Sequence, residues 1–157
     1  MQKIQKPITY RPSNPTALRF LIGGAIAFIL VELLVAGPNE FVVGFTILCL
    51  AAYVFMFRLT MIIITPDTLV FKSGGLPSRH IPIADIVEIK DDTMLFPVAQ
   101  STLGIYYRTS SGTVSKINIY PSTWENKTLG NVIAALLERN SLITLDDYAR
   151  GYEDQAR

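Results

Sequence analysis

A chain of 157 residues, half of them hydrophobic and 17% charged, has room for one domain of ordinary size and carries less charge than such a domain usually does. Its net charge of +1 divides into a basic N-terminal stretch (Lys3, Lys6, Arg11 and Arg19, with no acid among them) and a slightly acidic part beyond Thr65, which leaves no long basic stripe and excludes nucleic acid as a partner. A single cysteine, Cys49, and a single histidine, His80, exclude an internal disulfide framework and a zinc site built from Cys and His alone.

Residues 1–17 read as a basic cytoplasmic arm. The run "ALRFLIGGAIAFILVELLVAG" follows, and residues 18–35 make about 27 Å of helix, close to the thickness of a bilayer core. "GPNE" is a turn, and residues 41–57 carry no charge over about 25 Å of helix, the length of a return span. Carrying that helix on to Ile64 would bury Arg58 and set β-branched residues in helical form against their preference. The reading is therefore a two-helix transmembrane hairpin over residues 18–58, surrounded by membrane lipids, with Arg19 and Arg58 as anchors at the membrane interface. Glu32 and the second run argue against a cleaved signal peptide. Lys and Arg flank the hairpin and are absent from its turn, which places both ends on the cytoplasmic side or its organellar equivalent and makes this an integral, two-span membrane protein.

Within the hairpin, Gly23 and Ala27 form a small-xxx-small pair, with Ala51 and Ala52 at matching depth on the second helix. Either the hairpin packs closely on itself or another helix docks there. Glu32, an acid inside a span, either reaches the outer headgroups or faces a helix of another protein.

From Leu59 the pattern changes. "LTMIIIT", the turn "PD" and "TLVFK" read as a β-hairpin. "SGGLPS" is a loop, and "RHIPIADIVEIKDD" gives two short strands about the tight turn "PIAD". "TLGIYYRTSSGTVSKINIYP" is a second hairpin, with Leu103, Ile105 and Tyr107 alternating before "SSG" and Ile117 and Ile119 after it. Ser122 and Glu125 have the spacing of a capping box. Leu129, Val132, Ile133, Leu136 and Leu137 then form one apolar helical face, with Gly130 its weak point. Six or so antiparallel strands and one amphipathic helix predict a small barrel or pair of crossed sheets, closed by that helix, over residues 59–140. Residues 141–157 form a C-terminal extension with a short helix at 145–151.

Between the strands, "DDTMLFPVAQST" holds an apolar island of Met94, Leu95, Phe96, Val98 and Ala99. It folds back as a strand edge, offers an edge to a partner, or dips into a bilayer. Catalysis finds little support. His80 would need a serine and an orienting acid brought to it, "SGG" lacks the Lys and Ser/Thr of a phosphate-binding loop, and Asp91 with Asp92 lacks spaced oxygen ligands for a cation. No enzyme activity, cofactor or metal is expected.

Taken together, the apolar hairpin, "LT…TPDTLVF", "HIPIADIVEIK", the alternating hairpin and "IYPS" before an amphipathic helix resemble the bacterial pleckstrin-homology-like domains found on small membrane proteins. The likeness covers about residues 18–140. It implies a seven-stranded, helix-capped barrel and a role in binding or assembly, and assembly factors for photosynthetic membrane complexes have similar layouts. One departure is "TPDT", a tight acidic turn where inositide-binding members of the wider fold carry a longer basic loop. The functional expectation is a non-enzymatic, membrane-anchored interaction module that binds, scaffolds or helps assemble an integral membrane protein or a sister copy. Glu32, Met94, Leu95, Phe96 and Val98 are its candidate contacts. A lipid-headgroup sensor and an assembly factor or accessory subunit are the alternatives.

Overall fold

The first sheet begins before the apolar helices. The computed structural model describes residues 6–13, 15–35, 40–74, 76–92 and 101–156. Within them, β1 (Ile8–Tyr10), β2 (Met61–Ile64), β3 (Thr68–Lys72) and β4 (Arg79–Pro82) form one sheet in that order. β1 runs antiparallel to β2, with Thr9 opposite Ile63. Helices α1 (Pro15–Val35) and α2 (Glu40–Leu59) are thus an excursion between two neighbouring strands. The turn from β2 to β3 is closed by Thr65, whose N–H donates to the Thr68 carbonyl at 2.9 Å and whose hydroxyl accepts from the Thr68 N–H at 3.0 Å.

The two membrane spans expected over residues 18–58 are not found. Among the described residues no helix is long and apolar enough to cross a membrane. In α1, two charges interrupt the apolar stretch. Between Arg19 and Glu32, α1 offers residues 20–31, about 18 Å of helix against roughly 30 Å of hydrocarbon. The transmembrane fold class and the integral two-span location are corrected accordingly. Arg19, exposed near the start of α1, and Arg58, in the last turn of α2, lose the boundary they were read as marking.

What remains is an α+β fold of four α-helices and two four-stranded sheets among the described residues. The second sheet has the order β7-β6-β5-β8, from β5 (Ile86–Asp91), β6 (Leu103–Arg108), β7 (Val114–Ile119) and β8 (Thr144–Leu145). It is not antiparallel throughout, because β8 pairs parallel to β5. The turn joining β6 to β7 needs Gly112 at φ +80°, a conformation that only glycine adopts without strain.

The core lies between the sheets and under helix α3 (Asn126–Arg139). Ile62, Ile64, Leu69 and Ile81 enter from the first sheet, Ile89, Leu103, Ile105 and Ile119 from the second, and Leu129, Val132, Ile133 and Leu136 from α3. The apolar face expected on this helix is the buried one. The capping box is not made. Pro121 opens a 3₁₀ turn over Pro121–Thr123, the Trp124 N–H donates to the Pro121 carbonyl, and the Trp124 ring is buried. The helix is thereby delayed to Asn126, with Glu125 at the N-cap and no side-chain cap bond. At the other end Asn140 donates from Nδ2 to the Ile83 and Ile86 carbonyls at 2.9 and 3.2 Å, so one amide ties α3 to the 3₁₀ turn Ile83–Asp85 and to β5.

The C-terminal extension is docked on this core. Asp146 accepts from the Asp91 N–H through Oδ2 and from the Ala149 N–H through Oδ1, both at 2.8 Å, so it joins β5 to the first turn of α4 (Asp147–Asp154). Tyr148 and Tyr152 meet edge to face, with hydroxyls 3.1 Å apart. Burial, then the Tyr148 hydroxyl and the nearby Asp91, push the Tyr152 pKa well above its ordinary value. The fold therefore holds the neutral phenol. Its stabilising contribution is complete below the ordinary value of 10.0 and is lost as pH rises beyond it. Tyr10, also raised mainly by burial, acts in the same direction. Denaturant midpoints taken at pH 9 and pH 11 should show wild type losing more stability than Tyr152→Phe. Equal losses would remove Tyr152 from the alkaline response.

Candidate functional site

Helices α1 and α2 carry apolar side chains where folded surfaces in water carry few. On α2, Phe41, Phe45, Leu48 and Phe55 recur at helical spacing along one outward face, each 59% or more exposed. Phe41 and Phe45 stack with ring centroids 6.4 Å apart. The half-buried residues Val43, Thr46, Leu50 and Val54 repeat along a different side of the helix. The Thr46 hydroxyl is satisfied within the helix by donating to the Val42 carbonyl at 2.9 Å. On α1, Ile26, Leu30 and Leu33 share one outward face, while Phe28, Val31 and Leu34 extend the exposed apolar surface around the helix. A continuous surface of this kind marks a place where something else docks.

The base of the hairpin is well held. Residues on both sides of it belong to the first sheet, with Tyr10 opposite Ile62 in β2, and the Tyr10 hydroxyl donates to the Asn131 carbonyl of α3 at 3.4 Å. This root was missed in the sequence, although "PITYRP" carries a signal for it: Ile8 and Tyr10 alternate about Thr9 and are bounded by prolines.

The residues singled out in the sequence are not brought together. Glu32 lies near the C-terminal end of α1. Met94, Leu95, Phe96 and Val98 lie outside the described residues. A Cβ added at Gly23 would meet no atom within 4 Å, and Ala27, Ala51 and Ala52 are exposed, so the small residues lie on open helical surface. Cys49 is exposed on α2, His80 is exposed on β4, and no group of His, Cys, Asp or Glu that could hold a metal occurs among the described residues.

Two lysines on the outer face of the second sheet are engaged. Lys90 and Lys116 lie 4.6 and 5.9 Å from the centroid of the Tyr106 ring. Lys90 pairs with Glu88 at 2.6 Å and Lys116 pairs with Asp92. Each ammonium is pushed up in pKa chiefly by the hydrogen bond to its carboxylate. The charge of these two ammonium groups is balanced by carboxylates. Comparison with known proteins yields no match: no family model, no characterised protein and no solved structure is similar to this chain.

Proposed function

We propose that the chain is a non-enzymatic interaction module, in which the two-sheet domain holds out an apolar helical hairpin for docking on an apolar helical surface of a second polypeptide, either another copy of the chain or a different protein. The observation that carries this reading is the exposed apolar surface of α1 and α2, fixed at its root by strands on both sides. Open space beside Gly23, Gly24 and Gly44 supports it, because a partner helix could approach these backbones closely. The sequence resemblance of about residues 18–140 to pleckstrin-homology-like proteins is compatible with an interaction role. The paired lysines of the second sheet speak against a headgroup sensor on that face.

The test is the assembly state and partner recovery of the full chain. Leu30→Asp combined with Leu48→Asp places charge on two exposed positions (52% and 66%) that contribute nothing to the two-sheet core. The double variant should keep the wild-type melting profile and lose the oligomer or co-purifying protein seen with wild type. Unchanged assembly alongside unchanged melting would overturn the proposal. Salt-sensitive binding of the wild type to anionic vesicles, unaffected by the double substitution, would favour a headgroup sensor instead.

A further inference from the structure

Among the described residues, β4 and β7 are edge strands of their sheets, and they approach each other along a groove separate from the hairpin surface. β4 ends the first sheet and β7 ends the second. Arg79 on β4 donates from Nη1 to the Lys116 carbonyl on β7 at 3.2 Å. This bond fixes the direction of the β7 edge. If the Lys116 carbonyl points toward β4, the backbone N–H and carbonyl of Asn118, two residues further along the strand, point the same way by period-two alternation. Two adjoining recesses of about 250 and 340 Å³ run along this edge and share Phe71, Ser73, Asn118 and Tyr120. Trp124 lines the inner recess, and Arg79 and Lys116 line the outer one. Asn118 adds a second observation: its Oδ1 is buried and has no hydrogen-bond partner among the described residues, a rare state for a buried amide.

We propose that this groove takes an extended segment of a partner polypeptide, carrying apolar and acidic side chains, as an added strand along β7. The segment's backbone would pair with the edge groups of Lys116 and Asn118, and a donor on it would meet Asn118 Oδ1. An apolar side chain enters the inner recess against Phe71 and Trp124. A carboxylate pairs with Arg79, which is exposed and has no carboxylate within ion-pair distance among the described residues, whereas Lys116 is held by Asp92. The arriving strand takes over the Lys116 carbonyl and so releases the guanidinium of Arg79 for that carboxylate. A compact small molecule would leave the backbone edge unmet, which favours a strand.

Trp124 is the only tryptophan and lines the inner recess, so while the chain stays folded its fluorescence reads occupancy of this groove. The full chain is titrated with acetyl-Thr-Val-Phe-Thr-Glu-Thr-amide, with the same peptide carrying Lys for Glu, and with a version N-methylated at alternate residues. The acidic peptide should give a saturable change. The basic peptide should bind about tenfold more weakly, and the N-methylated one should not bind. Arg79→Gln should bring the acidic and basic peptides to within about twofold of each other, and Asn118→Leu should weaken the acidic peptide about tenfold with melting unchanged. No saturable change up to millimolar peptide, equal binding of the N-methylated peptide, or equal binding of both charge forms would overturn the proposal. Saturation by 4-phenylbutyrate without any response to peptide would do so as well, and would make the groove a small-molecule site. The comparisons among peptides need no variant to fold.

Discussion

Ile63→Pro should unfold the two-sheet domain or lower its stability by about 3 kcal/mol, the upper end for orphaning a buried backbone partner. Ile63 sits in β2 with Thr9 of β1 on one side and Val70 of β3 on the other. Whichever neighbour receives its N–H, proline removes that bond from the inside of a sheet, where the ring is tolerated only at edges and bulges. The side chain itself is only half buried, so lost packing cannot account for a large effect. Phe45→Leu is the control on the other side of the boundary. Phe45 is 59% exposed on α2, and the change should stay within about 0.5 kcal/mol in urea midpoints followed by Trp124 fluorescence. Equal, small effects from both substitutions would mean that helical structure continues through residues 61–64 and that β2 is not part of a ladder.

The passage from α2 to β2 shows what can be read from residues alone. The run of isoleucines after Arg58 lies beyond the end of α2 at Leu59, where β-branched side chains prefer extended backbone. Likewise, the alternation of Leu103, Ile105, Ile117 and Ile119 showed the β6–β7 hairpin because each of these side chains is buried between the sheets. Three elements escaped that reasoning for physical reasons. β1 is three residues long and separated from its partner β2 by two helices, so no local pattern announces the pairing. β8 is two residues long and depends on a parallel neighbour distant in sequence. The groove between β4 and β7 exists only because two sheet edges come together in space, and Asn118 within "KINIY" looks like any outward-facing polar strand residue. In the reading of residues 18–58 as two spans, the apolar count of the first run is carried across Arg19 and Glu32.

Gly130→Ala is expected to release α4, although the same change in an isolated helix would help. A Cβ built at Gly130 would come within 2.2 Å of the Tyr152 carbonyl oxygen and 2.9 Å of the Ala156 Cβ. The first is backbone, so no side-chain rotation relieves the clash, and either α3 or α4 must move. α3 is held by the buried residues Leu129, Val132, Ile133 and Leu136, whereas α4 buries only Ala149 fully. The shorter helix therefore gives way. Its displacement breaks the seating of Tyr152 and strains the Asp146 links to Asp91 and Ala149. Overpacking of this kind costs about 1–3 kcal/mol, against about 1 kcal/mol gained by replacing glycine within a helix. The net result should be a lower melting temperature and faster proteolysis after residue 146. A chain truncated after Asp146 separates the two contributions, because removing α4 removes the clash and leaves the helix preference. In that background Gly130→Ala should be neutral or stabilising. Destabilisation of equal size with and without α4 would show that the close approach of the two helices is not why glycine occupies this position.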